Sequence, residues 1–279
     1  MVPLADNMSS FSEIRLSSWR DALLAKGQYT FSLADIKSEL PLKTEVAIKR
    51  GLALMSKQGR IVSVFKGFYI IVPPNYQNMG VLPAVMFIDD LMCYLNRPYY
   101  LSLLTAASLH GAAHQGPQSH FVCTTLPTIR TTRKNGIQIE YISKRNFLDQ
   151  HIVQKKTESG FVKVSDPVLT SIDMMNYHKS IGGINRAATI INELSEEIAV
   201  EQIENGLTKL CPIADLQRLG YLWENVLERS DLADELYEVL NRNKKIKRKY
   251  RLSSSREALV DAKKNRWKIN PNLIIEIDE

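Results

Sequence analysis

The sequence predicts an α+β protein, with an N-terminal winged helix-turn-helix over residues 1–75 and a larger α/β domain over residues 76–279. Three observations predict it. Three short amphipathic helical stretches come first, a β-hairpin follows the third of them directly, and the remaining chain mixes strand-like and helix-like runs. A length of 279 residues suits about two domains of roughly 100–200 residues each, and domains of that size need no disulfide staples.

The first helical stretch, Phe11 to Lys26, carries Phe11, Ile14, Trp19 and Leu23 at helical spacing and stops at Gly27. Ser32-Leu-Ala-Asp35 reads as a capping box that opens a short second helix to about Leu40, and Pro41 breaks it. A third helix over about Lys43 to Lys57 ends at Gln58-Gly59. Its Ile48, Leu52 and Met55 share one side and should pack inward. Lys43, Val46, Arg50, Ala53 and Lys57 share the other, with Lys49 beside them.

A helix that enters a major groove needs such a surface. Guanidinium and ammonium groups serve guanine and phosphate, methyls serve thymine, and nothing bulky obstructs the approach. A merely solvated basic face has the same pattern. Arg60-Ile-Val-Ser-Val-Phe65 then alternates, Lys66-Gly67 supplies a two-residue turn, Phe68 to Val72 returns, and Pro73-Pro74 ends the pair. A hairpin placed there is a wing. Lys43, Lys49 and Arg50 are expected to face the groove, while Lys57, Arg60 and Lys66 clamp phosphate.

Residues 73–78 read as a linker, and helices are expected over about 80–96 and 100–112, from 167 through Val168, Leu169, Ile172 and Met175, and over about 183–198, 212–227 and 231–241. Asp166-Pro167 opens the third of these with Pro at its first position. Strands are expected over 119–125, 137–142 and 161–164, with 266–269 and 273–278 as a closing pair.

Overall composition is ordinary for a globular chain, with 44% apolar and 24% charged residues and a net charge of +6. No run of about 18 apolar residues suggests a membrane span. The N-terminus lacks a basic-then-apolar leader pattern. Cys93, Cys123 and Cys211 are odd in number and far apart, which suits reduced thiols in the cytoplasm. The charge is uneven: residues 1–75 carry +4, 76–191 +4, 192–238 −9 and 239–279 +7. Basic blocks favour nucleic acid through counterion release, and the acidic block opposes indiscriminate coating of it. The run Arg242–Arg251 holds seven Lys/Arg in ten residues. Arg130, Arg133 and Lys134, with Lys244, Lys245, Lys247 and Arg248 of that run, are a candidate auxiliary surface for DNA or an acidic protein.

Candidate catalytic chemistry is thin. His110 and His114 stand four apart without the glutamate of a zincin between them, and His120 is a conceivable third ligand. Helix-end histidines satisfied by backbone are the simpler reading. Asp89-Asp90 and Asp166 could serve a metal-dependent nuclease. Asp166 has a simpler use as a helix cap, Asp89-Asp90 as the solvent side of a helix, and Glu140 and Lys144 are too far apart for an E-x-K site. No cofactor, metal site or enzyme activity is expected.

Several stretches resemble the AbiEi family of bacterial antitoxins. They are Arg60-Ile-Val-Ser-Val-Phe-Lys-Gly-Phe-Tyr69, Tyr99-Tyr-Leu-Ser-Leu-Leu-Thr-Ala-Ala-Ser-Leu-His-Gly111, Pro117 with Phe121-Val-Cys-Thr124, Asp166-Pro-Val-Leu-Thr-Ser-Ile-Asp173, Gly182-Gly183, Leu216-Gln-Arg-Leu-Gly-Tyr221 and Trp267 to Asp278. Together they span nearly everything from residue 30 on. The acidic stretch 192–238 and the tail 241–255 follow no family pattern. The resemblance implies a type IV toxin–antitoxin pair linked to abortive phage infection, with a nucleotidyltransferase-fold toxin encoded alongside. It implies that the winged helix represses the shared promoter at inverted repeats of double-stranded DNA. The larger domain would carry antitoxicity and support DNA binding. No active site or membrane contact is implied. A nuclease with a winged-helix targeting domain and a ligand-sensing transcription factor are the alternatives.

Overall fold

The computed structural model describes residues 15–112, 118–145, 147, 149–253 and 264–277. The chain divides into two compact units. One takes the residues up to Tyr99 with Pro127–Tyr141 and Lys155–Val162; the other takes Tyr100–Leu126, Ile142–Gln154 and Lys163 onward. Residues 76–99 therefore group with the N-terminal helices.

The first unit opens with α1 (Leu16–Ala25), β1 (Thr30–Ser32), α2 (Leu33–Glu39), α3 (Glu45–Lys57), β2 (Ile61–Phe65) and β3 (Phe68–Ile71). Phe11 and Ile14, expected on the first helix, lie outside the described residues. The capping box closes reciprocally: Asp35 N–H donates to Ser32 Oγ at 3.2 Å, and Ser32 N–H donates to Asp35 Oδ2 at 2.7 Å. Thr44 caps α3 by accepting from Ala47 N–H at 3.3 Å. Lys43 therefore precedes the helix rather than riding on its first turn.

Ile48, Leu52 and Met55 are buried in one core with Leu16, Trp19, Leu23, Phe31, Ile36, Ile61 and Ile71. Each such side chain contributes about 1.5–3 kcal/mol by leaving water. A Cβ on Gly51 would lie 2.9 Å from Leu16 Cδ2, so the missing side chain lets α1 and α3 close up. The strands form an antiparallel sheet in the order β1-β3-β2, pairing Phe31 with Tyr69 and Val62 with Ile70.

The helix expected over 80–96 is shorter. A 3₁₀ turn at Ala84–Met86 follows Pro83, α4 covers only Ile88–Tyr94, and Asn96 (φ +51°) leaves the helical region.

A six-stranded sheet contains β4 (Tyr99–Leu101), β5 (His120–Thr125), β6 (Thr132–Lys134), β7 (Ile137–Lys144), β8 (Ile152–Thr157) and β9 (Gly160–Ser165), in the order β6-β7-β5-β4-β9-β8. The helix expected over 100–112 is thus corrected at its start. Tyr99–Leu101 extends and pairs parallel with β9, Leu101 opposite Val164, and α5 begins only at Leu103. Apolar runs such as Tyr-Tyr-Leu fit either element by periodicity, and burial between two neighbouring strands decided this one.

After α5 (Leu103–Leu109), the second unit continues with the helices α6 (Pro167–Tyr177), α7 (Ile184–Ser195), α8 (Leu207–Leu210), α9 (Ile213–Asn225) and α10 (Ser230–Arg242). All residues from Pro167 to Met175 are buried, so α6 is the core helix of this unit. Asp166 caps it by accepting from Leu169 N–H at 2.8 Å.

The closing pair of strands is not formed. Instead β10 (Tyr250–Arg251) pairs parallel with β11 (Ile269–Asn270), and residues 273–277 form no strand. Asn272 explains the change. Its amide accepts from Ser253 N–H at 2.8 Å and donates to Ser253 C=O at 2.6 Å, tying the 270–272 turn to the segment after β10.

α9 carries the close approach that holds this end together. Gln217 donates to the carbonyls of Trp267 at 2.5 Å and Arg248 at 3.1 Å, and the fully buried Trp267 ring lies on Gly220. A Cβ there would stand 2.2 Å from two ring carbons. Gly220→Ala should lower the unfolding free energy by about 1–3 kcal/mol, the ordinary cost of overpacking. Urea titration followed by tryptophan fluorescence measures it, and an unchanged midpoint would contradict this packing.

Candidate functional site

The first unit displays α3 and the hairpin after it. Lys49, Arg50, Lys57, Arg60 and Lys66 are exposed and Lys43 is half-buried. Val46 and Leu54 on the outward side of α3 are 58% and 57% exposed. The oily side is docked and the cationic side is open, as amphipathic spacing requires. Glu45 is the one acid in that stretch. Its hydrogen bond to Lys37 Nζ (2.9 Å) and the nearby Lys49 charge hold its carboxyl below the usual range.

The hairpin tip has its own support. Tyr94 Oη donates to Lys66 C=O at 3.0 Å, its ring lies 5.3 Å from that of Phe68, and Gly67 (φ +78°) has no room for a Cβ beside the Tyr94 hydroxyl. The backbone at Lys66 is therefore held from behind while its side chain is exposed. Thr30 Oγ1 donates to Asp90 at 2.6 Å and anchors α4 to β1.

The auxiliary cations fall in different units. Arg130, Arg133 and Lys134 are exposed in the first, where Arg133 pairs with Glu140 at 3.1 Å. Lys244, Lys247 and Arg248 are exposed and Lys245 half-buried in the second. The backbone of that run is pinned by Gln217 on Arg248 C=O and by Arg218 Nε on Arg251 C=O at 2.9 Å.

The catalytic alternatives find structural employment. Asp89 accepts from Tyr99 Oη at 2.8 Å, Asp90 from Thr30, and Asp166 from both Leu169 N–H and His151 Nδ1 (2.7 Å). His110 Nε2 meets Ser165 C=O at 2.7 Å, and His114 lies outside the described residues. Burial lowers the pKa of His120. Among the described residues no three His, Cys, Asp or Glu side chains gather as metal ligands, and no helix is long and apolar enough to cross a membrane.

Sequence reasoning missed a buried ionic centre in the second unit. Asp173, on the inner side of α6, has a side chain only 2% exposed. Its Oδ2 accepts from Tyr100 Oη at 2.9 Å and Ser102 Oγ at 2.8 Å, with Cys123 Sγ at 3.9 Å, and its Oδ1 takes Lys144 Nζ. Burial alone would lower the Lys144 pKa, but the Asp173 carboxylate outweighs it and the net shift is upward. The Cys123 thiol is pushed up to about 12 by burial and by the same carboxylate. Tyr100 moves in the same direction for the same two reasons.

The donors come from β4, its following turn, β5 and the end of β7. Leu103, next to Ser102, sits fully buried at φ +51°, a strained backbone that the surrounding packing over-determines. The sequence signal was Asp173 seven residues after the Asp166 cap, on a helix with no other charged residue; its partners are 29 to 73 residues away. Lys144→Met should cost about 3–5 kcal/mol because it strands a buried carboxylate, whereas the exposed Arg145→Ala should stay within about 0.5 kcal/mol of the parent. Paired chemical denaturation curves test this, and equal midpoints would show that the charge pair is dispensable.

Comparison with known proteins bears on this same stretch. Residues 100–225 match the model of the AbiEi antitoxin C-terminal domain. The match runs well into the acidic stretch 192–238, part of which therefore does follow the family pattern. The crystal structure of the RV2827C protein from Mycobacterium tuberculosis is similar in fold, with a TM-score of 0.61 at 15% identity over 91% of this chain and 89% of that one. No curated protein matches significantly. Residues 100–225 of the chain are thus similar to the C-terminal domain of AbiEi antitoxins.

Proposed function

We propose that this protein is an antitoxin that represses its own promoter through a winged helix-turn-helix, and that it counteracts a nucleotidyltransferase-fold toxin encoded beside it in a non-enzymatic, cytoplasmic role linked to abortive phage infection. The observation that supports the repressor reading best is α3. Its apolar side is buried in the small core and its cationic side is open, with a β-hairpin directly after it.

Major-groove reading needs a helix that presents bidentate cations beside short apolar groups, and Arg50 and Lys49 flank Val46 and Ala53 in that way. Phosphate clamping needs cations at fixed backbone positions around it. Lys57 in the last turn of α3, Arg60 ahead of β2 and Lys66 on the braced hairpin tip occupy such positions. Inverted repeats in the promoter would be met by two copies of the chain, since half-site symmetry mirrors protein symmetry.

The match of residues 100–225 to the AbiEi antitoxin C-terminal domain supports a toxin partner. The basic surfaces at Arg130–Lys134 and Lys244–Arg248 serve auxiliary DNA contact or form the toxin-related face. The non-enzymatic reading is supported by the structural use of the candidate carboxylates, Asp166 as a helix cap and Asp89 and Asp90 as acceptors from hydroxyls.

The test is a band-shift series on the DNA upstream of the protein's own gene. Arg50→Ala should cost about 1–3 kcal/mol and relax sequence choice at one base pair. Lys66→Ala should weaken all sequences alike and flatten the salt dependence by about one unit of slope. Unchanged binding in both variants would reject the interface. Co-expression with the neighbouring reading frame, scored by growth, tests the antitoxin role separately. Residues 1–279 should restore growth, and a neighbour that is harmless alone would reject the toxin assignment.

A further inference from the structure

A cavity of about 250 Å³ opens beside the buried ionic centre, wholly within the second unit. Lys144, Arg145 and Asn176 supply its polar wall, and Leu169, Ile172 and the Tyr177 ring supply its apolar wall. Asp173 also borders it, but both carboxylate oxygens are already engaged by the Tyr100 and Ser102 hydroxyls and by Lys144.

Lys144 is not equally satisfied. Its ammonium meets the Asp173 carboxylate and lies 5.4 Å from the centroid of the Tyr100 ring, and three N–H groups exceed what that one oxygen and a ring face can take. Its side chain is 19% exposed, and that opening is the cavity. Arg145 and Asn176 are exposed at the rim and bring further donors. Two cations against one anion leave the wall with one net positive charge. Small-molecule sites combine an apolar wall with a few convergent polar groups in this manner.

We propose that this cavity binds a small monocarboxylate, its carboxylate held by Lys144 and Arg145 and its apolar body lying between Tyr177 and the Leu169–Ile172 wall. Charge and shape select the class. A planar carboxylate matches the guanidinium fork with two parallel hydrogen bonds and neutralises the wall's single excess charge. A phosphate dianion would overshoot that charge and set oxygens against the apolar side. A neutral amide offers one acceptor oxygen instead of two, so its N–H₂ group is set against one of the two cations. A cavity of about 250 Å³ has room for monocarboxylates of the size of acetate to benzoate. The inference rests on the ionic centre and is independent of the DNA reading.

Isothermal titration calorimetry on the full chain tests it, using acetate, isobutyrate and benzoate against benzamide and inorganic phosphate as probes. The expected result is saturable one-to-one binding of at least one carboxylate in the millimolar range or tighter, with benzamide at least about tenfold weaker than benzoate, a gap of about 1.4 kcal/mol. Arg145→Ala should weaken the carboxylate by a similar factor while leaving the melting temperature of the unliganded protein unchanged, which separates lost binding from lost folding. The proposal is overturned if no carboxylate saturates, if benzamide or phosphate binds as well as the best carboxylate, or if Arg145→Ala binds like the parent.

Discussion

A carboxylate taken out of water is tolerated only where other groups replace the water it lost. Asp173 meets that condition inside the second unit. Two hydroxyls meet one of its oxygens and an ammonium meets the other, with a thiol close by. Those donors arrive from three different strands and a turn, so the requirement fixes the placement of α6 against the ends of β4, β5 and β7 far more sharply than apolar contact could. Apolar packing accepts small slides; a buried charge does not. The family match covers this region, and the residues of the centre lie inside it.

The first unit obeys a softer rule. Its helices are short, and Ile48, Leu52 and Met55 can all be buried only if α3 lies with one side on the core. The same docking turns Lys49, Arg50 and Lys57 outward. Stability and the proposed recognition surface are therefore two sides of one helix, and no separate element is needed to present the cations. The hairpin is held by a different device, the Tyr94 hydroxyl on the Lys66 carbonyl, which leaves the side chain at its tip unencumbered.

These two regions differ in how visible they are in the linear chain. The capping box at Ser32 and Asp35, the end of α3 at Gln58-Gly59 and the Lys66-Gly67 turn are all local features, set by side chains within a few residues, and each is formed where the residues indicate. The cap of α6 at Asp166 and the glycine pair ahead of α7 belong to the same class, with Gly182 at φ +102° and Gly183 at φ +111°. The strand pair β6–β7 was also legible, because Asn135-Gly136, both at positive φ, is the strongest short hairpin signal. It escaped because β6 is only three residues long and mostly exposed.

What the sequence by itself determined is the class of the fold, the order of its helices, the caps and turns that bound them, and which side of α3 is apolar. All of these follow from interactions between residues less than about one or two helical turns apart. Tertiary structure alone decided that Tyr99–Leu101 is a strand rather than the start of a helix, and that Ile269–Asn270 joins Tyr250–Arg251 rather than the residues after it. It also decided that Lys144 and Tyr100 converge on Asp173 beside a cavity. Those outcomes depend on partners tens of residues away, brought together by burial and by the need to pair every polar group that burial strips of water, and no local pattern encodes such a meeting.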